Sequence, residues 1–237
     1  KSLVKLYGEE ERFIISRMHS ATRHATRSFD NYQLNDVPGA ADSLFLDLSR
    51  TYIQLVRDKA ATGDDEDKRV VASVTYQVLM NSLKLFAPVA PFITEAIYQD
   101  LKKAFGLKEE SIHHCAWPKW DDKDCDSELE AGMATAMQAV GASSFAREKA
   151  NINTRWPLKT LTLVTSDKKV VESCEKLGDL IRRQANVKEI RIQESMPGIK
   201  FDVKADTGKI GSDFGKLTPK VIAAIVTHSV EDVVRHM

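Results

Sequence analysis

The sequence predicts a mainly α protein: a helical bundle over residues 1–150 followed by a small α+β domain over residues 151–237. Three observations carry this. Apolar residues recur at three- and four-residue spacings through the first two-thirds of the chain, the signature of amphipathic helices. After Pro157 the pattern changes to alternation in β-forming residues. The 237 residues are 43% hydrophobic and 29% charged, enough to bury a core and too apolar for a disordered chain.

The elements follow in order. From Glu9 to Leu34, the residues Phe13, Ile14, Met18, Ala21, Ala25, Phe29 and Tyr32 fall on one face of a helix of about six or seven turns. Pro38 suits the first turn of a second helix, whose stripe is Leu44, Phe45, Leu48, Tyr52, Leu55 and Val56 and which ends before Gly63. The run DDED at 64–67 opposes the positive end of a third helix, which buries Val70, Val71, Val74, Val78, Leu79 and Leu83 and is stopped by Pro88. Pro91 opens a fourth, with Phe92, Ile93, Ala96, Ile97, Leu101 and Phe105 expected inward and Gly106 at its end. Residues 107–126 form an irregular loop containing SIHHCAWPKWDD, to be tied down by its two tryptophans. A fifth helix from Ser127 to Ala150 carries Leu129, Met133, Met137, Val140 and Phe145.

The period then changes. LKTLTLVT at 158–165 and VKEIRIQ at 187–193 read as strands, joined by a helix over Lys168–Gln184 into a βαβ unit. A turn at Met196-Pro197-Gly198, a third strand at IKFDVKAD and two short helices between Thr218 and Met237 complete the reading, the second helix opened by Ser229. The boundary is expected near Asn151–Pro157.

Charge excludes the simplest nucleic-acid argument, because 34 Lys plus Arg balance 34 Asp plus Glu. The balance is uneven along the chain, however. Residues 61–140 hold 14 acidic and 8 basic side chains, and residues 141–220 hold 16 basic and 10 acidic. Apolar runs such as Val221–Val226 are too short to cross a bilayer. The start KSLVKLYG has neither an initiator Met nor a signal-peptide pattern and reads as an excised fragment. Three scattered cysteines, Cys115, Cys125 and Cys174, make no disulfide framework and point to the reducing cytosol.

Few motifs carry chemistry. GxSxG, HExxH and the Gly-rich phosphate loops are absent, so catalysis within these residues is not expected. His113, His114 and Cys115, with Asp124 or Cys125, have poor spacing for zinc, and a structured loop is the stronger reading; no metal site is expected. The arginines say more. Arg17, Arg23 and Arg27 on the first helix, and Arg50 and Arg57 on the second, form stripes that are either ordinary surface charge or an RNA-facing set. Tyr52 and Gln54 add a stacking ring and a base-edge hydrogen bonder, although Tyr52 is equally in phase with the core residues Leu48 and Val56. A second basic cluster packs Arg147, Lys149, Arg155 and Lys159 around Trp156, composing either a phosphate-tracking groove or a cap on the small domain.

Several strings then coincide with a known family. ERFIISRMHS resembles the opening of the anticodon-binding helical domain of class I aminoacyl-tRNA synthetases, and LFLDLSRTYIQLVRD its second long helix. LFAPVAPFITEAIYQDL and SIHHCAWPKWD resemble the helix pair and loop that follow in the isoleucyl, valyl and leucyl group. AREKANINTRWPLKTLTLV and DFGKLTPKV are more particularly similar to the isoleucyl members of the archaeal or eukaryotic-type branch. The resemblance covers nearly the whole chain and implies the C-terminal part of such an enzyme; the alternatives are the equivalent valyl or leucyl region, or a helical protein-interaction module.

The resemblance implies a parent that uses ATP to join isoleucine to its tRNA in the cytoplasm. The HIGH and KMSKS adenylation motifs are absent here, so this region is expected to need no cofactor and to position tRNA for a catalytic domain on its N-terminal side. Arg17, Arg23, Arg27, Arg50, Tyr52, Gln54 and Arg57 would face the anticodon, and Arg147, Lys149, Arg155, Trp156 and Lys159 the stem. Met18 and His19 stand where the family commonly has Leu and Asn, so an Asn contact does not carry over.

Overall fold

The structure is a computed structural model that describes residues 6–195 and 215–227. Helix α1, Glu9–Asp30, starts at Gly8, whose N–H donates to Glu11 Oε2 at 2.8 Å, and three glutamates occupy its positive first turn. Phe13, Ile14, Met18, Ala21 and Ala25 are buried, as their spacing predicts. A short 3-10 turn, Leu34–Asp36, leads into a long helical rod. Its parts are α2 (Val37–Leu46), a π-helical stretch (Asp47–Tyr52), α3 (Ile53–Leu55) and α4 (Arg57–Thr62).

The π-helical stretch has a cause in the sequence. Leu44, Leu48, Tyr52 and Val56 are all buried at a constant spacing of four. In a 3.6-residue helix that spacing drifts by about 40° per step, and a wider turn takes up the drift. At its end, the Ile53 N–H reaches back five residues to Leu48 O.

Helix α5, Asp65–Phe86, is capped by Asp64, whose carboxylate accepts from the Asp67 N–H at 2.8 Å; the acidic run is thus a helix start. Helix α6, Pro91–Phe105, ends at Gly106 in the left-handed conformation. Helix α7, Ser127–Lys149, is capped by Asp126. Packing of α1 against the rod and α5, with α7 alongside, forms the core around Ile14, Leu44, Val74 and Met133.

The expected inward face of α6 needs correction. Phe92 is 91% exposed, Ile93 59% and Phe105 61%, whereas Thr94 and Tyr98 are buried; of the expected set, Leu101 does pack against the core on this side. This helix is no fourth bundle member; it packs on α5 and the turn at Ile112–His114. Its small core joins Tyr98 and Ile112 to Leu83 and Ala87, and the Tyr98 hydroxyl donates to Glu109 O at 3.1 Å. Both faces of α6 satisfy the helical period, and a ring with a hydroxyl to place decides which is inside. Phe145 on α7 is likewise exposed.

Strands β1 (Leu158–Val164) and β2 (Val187–Gln193) form a two-stranded sheet. The bonds Leu158 N–H to Asn186 O and Thr165 N–H to Gln193 O keep one sequence offset, so the strands run parallel. The single helix expected between them is two, α8 (Lys168–Lys176) and α9 (Gly178–Ala185), separated at Leu177.

By packing, one compact unit takes in the residues up to Leu163 and Asp167–Arg191, because α8 and α9 lie on α7. The other comprises, among the described residues, Val164–Ser166, 192–195 and 215–227, including α10 (Thr218–Thr227). This division falls later than the compositional junction at 151–157. The expected turn at 196–198, the third strand and the helix from Ser229 lie outside the described residues. Among the described residues no helix is long and apolar enough to cross a membrane.

The phase of α6 is open to a direct test. Tyr98→Ala is expected to destabilise the chain by about 3 kcal/mol or more in urea unfolding. Phe92→Ser is expected to change it by no more than about 0.5 kcal/mol.

Candidate nucleic-acid interface

The polar side of α1 is largely committed to holding other segments. Arg17 joins three elements: its Nε donates to Asp47 Oδ2 at 2.6 Å, Nη1 to Glu130 Oε2 at 3.0 Å and Nη2 to Ser43 Oγ at 2.8 Å. Burial works against its charge, but Asp47 and Glu130 outweigh this and hold the guanidinium's pKa above its usual value. Ser16 and Ser20 donate to the same Glu130 at 2.5 and 2.7 Å. Further along, Arg23 pairs with Asp122 at 2.9 Å. Arg17 and Arg23 were expected on an RNA-facing stripe. Two carboxylates hold the Arg17 guanidinium between helices, Arg23 shares a partly exposed surface pair with Asp122, and Arg27 is exposed.

What α1 holds is the irregular loop. The Trp117 indole N–H donates to Thr26 Oγ1 at 2.9 Å, and its ring meets Phe29 edge-on, 5.4 Å between centroids. The Asp121 N–H donates to His19 Nδ1 at 3.0 Å, and the Asp126 N–H to Ser16 Oγ at 2.7 Å. His19 therefore braces the loop. Of the two tryptophans expected to tie it down, Trp117 is seen to do so.

The turn carrying His113 and His114 is built around Glu95, whose Oε2 accepts from Ser111 Oγ at 2.7 Å and from the Ile112 N–H at 3.1 Å. Hydrogen bonds from Gln99 and Ser111 hold the Glu95 pKa below its usual value. Both histidines point to solvent, and among the described residues no group of three or more His, Cys, Asp or Glu is gathered to hold a metal.

Tyr52 belongs to the core. Its ring is fully buried, and burial, then the charges of Glu11 and Glu10, push its hydroxyl pKa far up. Beside it the buried Glu11 carboxylate accepts from Lys59 Nζ at 2.9 Å. A ring so enclosed cannot stack on a base, so the stacking role considered for Tyr52 falls away. Arg50, Gln54 and Arg57 are exposed, and Arg57 donates to Gln54 Oε1.

Arg147 also changes role. It is 4% exposed, and its guanidinium collects four backbone carbonyls: Asn153 at 3.3 Å, Trp156 at 2.8 Å, Ala185 at 2.8 Å and Asn186 at 3.0 Å. It clamps the 151–157 loop to the end of α9, and its one remaining N–H, at Nε, is buried out of a phosphate's reach. The clamp leaves its neighbours outside. Trp156 is 68% exposed, Arg155 and Lys159 are exposed, and Lys149 Nζ sits 5.3 Å from the Phe145 ring centre.

Sequence reading missed the basic residues added to this corner from α9 and β2. Arg182, Arg183 and Lys188 line a shallow depression with Asp179 and Asn186. Arg182 pairs with Asp179, and Arg183 with Glu10 at 2.5 Å. Their only signal was a pair of arginines in a last helical turn, where cations are favoured anyway.

A helical bundle with exposed cations along one pair of helices, followed by a basic corner, defines a class. Residues 11–162 match the family described as the anticodon-binding domain of tRNA ligase, and the chain belongs to that family. Its relatives are consistent in kind. It is 35% identical over 227 residues to an isoleucine–tRNA ligase of Thermococcus kodakarensis, covering 95% of this chain and 21% of that protein. It is 35% identical over 218 residues to that of Methanopyrus kandleri, covering 90% and 20%. With that of Pyrococcus horikoshii it shares 34% over 227 residues, covering 95% and 21%. The chain thus spans about a fifth of the length of these relatives.

Two substitutions test the site's supports. Arg147→Ala leaves several carbonyls without their donor and is expected to cost about 2 kcal/mol or more, measured by chemical denaturation; Arg147→Lys recovers little, lacking the planar fork. The depressed Glu95 pKa implies stability that is present above the ordinary glutamate value of about 4.3 and lost as pH falls through the lower folded value. Glu95→Gln is expected to reduce that acid sensitivity in a pH series of unfolding curves.

Proposed function

We propose that this chain is the anticodon-arm-binding region of an isoleucine–tRNA ligase. Its RNA partner is then tRNA specific for isoleucine. Its protein partner is the ligase's own catalytic domain, which uses ATP in the cytoplasm, and the region itself carries no cofactor. The support is the family match over residues 11–162 together with cations that the fold leaves free. Arg27, Arg50 and Arg57 are exposed on α1 and the rod, and Lys149, Arg155 and Lys159 surround an exposed Trp156.

The arrangement suits an RNA hairpin. Phosphates are recognised by mobile cations at a corner, which fixes register without reading sequence. Unpaired bases need exposed hydrogen-bonding and stacking groups, which the bundle side supplies. Arg17, Arg23 and Arg147 serve this surface indirectly, by holding its elements in place.

Binding of purified isoleucine tRNA across a salt series tests the reading. Arg155→Ala or Lys149→Ala is expected to weaken all tRNAs equally and to lower the salt slope by about 1 for each lost phosphate contact. Arg27→Ala or Arg50→Ala is expected to cost on the order of 1–3 kcal/mol against the cognate anticodon and little against a swapped one. Equal losses on both transcripts would assign these two arginines to phosphates. Absence of salt-dependent tRNA binding by the wild-type chain would sink the proposal.

A further inference from the structure

Four described helices leave their last turn through a residue in the left-handed region. They are α6 at Gly106 (φ 65°), α7 at Asn151 (φ 54°), α9 at Asn186 (φ 51°) and α1 at Tyr32 (φ 58°). Glycine and asparagine are the residues this region tolerates, and a bulky aromatic there is sterically strained.

The α1 and α7 exits are the same turn. After α7, Asn151 N–H donates to Glu148 O and Ile152 N–H to Arg147 O; after α1, Tyr32 N–H donates to Phe29 O and Gln33 N–H to Ser28 O. The hydrogen bonds are therefore not what requires a tyrosine. Nor does packing require it, for the Tyr32 ring is 89% exposed. At α7 the following residue, Ile152, is half-buried, whereas Gln33 after Tyr32 is exposed.

The residues next to it in the chain are mostly polar and exposed. Arg27, Asn31 and Gln33 are all exposed, with Asp30 and Asp36 the acids nearest in sequence. The position along α1 matters as well. Lys59 meets Glu11 and Arg183 meets Glu10, so Arg57 and the clamp of Arg147 on Ala185 and Asn186 lie near the helix's N-terminal end. Tyr32 lies about 30 Å further along, at the other end.

We propose that Tyr32 is the stacking platform for an unpaired base of the anticodon loop, with Arg27 and Asn31 placed beside that base. The inference rests on the tRNA-binding reading above and deepens it: the basic corner near the N-terminal end of α1 takes the paired stem, and the C-terminal end of α1 takes the loop. An open aromatic face serves any base, and a polar rim adds hydrogen bonds to its edge.

The test uses the whole chain, an isoleucine anticodon-arm hairpin carrying 2-aminopurine at single loop positions, and a duplex of the stem alone. Wild type is expected to quench the fluorophore at one loop position on binding. Tyr32→Gly is expected to abolish that quench and weaken hairpin binding about 10-fold, leave the duplex unchanged, and melt no lower than wild type, because the strained exit is relieved. Tyr32→Phe is expected to keep both affinity and quench. Unchanged hairpin affinity in Tyr32→Gly, equal loss on hairpin and duplex, or a lowered melting point would each overturn the assignment while leaving tRNA binding intact. Failure of wild type to bind hairpin or duplex would overturn the underlying reading as well.

Discussion

The Arg17 guanidinium is the constraint on which the arrangement of the bundle depends. It spans α1, the rod and α7, and Glu130 is shared with Ser16 and Ser20, so one carboxylate accepts from three side chains of α1. Arginine suits this place because its planar fork addresses several acceptors at once and its charge is not lost at any ordinary pH. A lysine would offer one point of charge. The register of three helices against each other therefore follows from the directions of one side chain's N–H bonds.

Much of the fold was legible in the sequence, and the limits have particular causes. The helix start was clear where acids stand before apolar periodicity, at 64–67, because capping is a local interaction between neighbours in the chain. The strands at 158–164 and 187–193 were legible from alternation. The face of α6 was not, since both of its sides repeat at helical spacing and the choice depends on Glu109 and Ile112 across a turn. Packing of α8 and α9 on α7 was equally beyond a linear pattern.

The candidate site divides in the same way. Residue types and stripes were visible, but whether an arginine is free depends on partners remote in sequence. Arg17 finds Glu130 and Arg147 finds Asn186, whereas Arg27 and Arg155 remain exposed. Tyr52 shows the ambiguity most plainly: its phase with Leu48 and Val56 was as good an argument as its chemistry, and burial chose the phase. Tyr32 was the reverse, assigned inward by periodicity and found outside because α1 ends at Asp30.

The π-helical stretch at Asp47–Tyr52 also sets a limit on how the rod can change. A widened turn amounts to one residue inserted into an α-helix. Removing a single residue there would restore regular geometry and leave everything beyond it facing nearly its present direction, because a π turn spreads about the same rotation over one more residue. Gln54, Arg57 and Lys59 would then keep their directions relative to Arg27 on α1, whereas a deletion from a regular turn of the rod would swing them by about 100°. The widened turn is thus where the rod can lose one residue without turning one set of cations away from the other. Point substitutions within it are more constrained than its length, because Asp47 holds Arg17 and Leu48 and Tyr52 are buried.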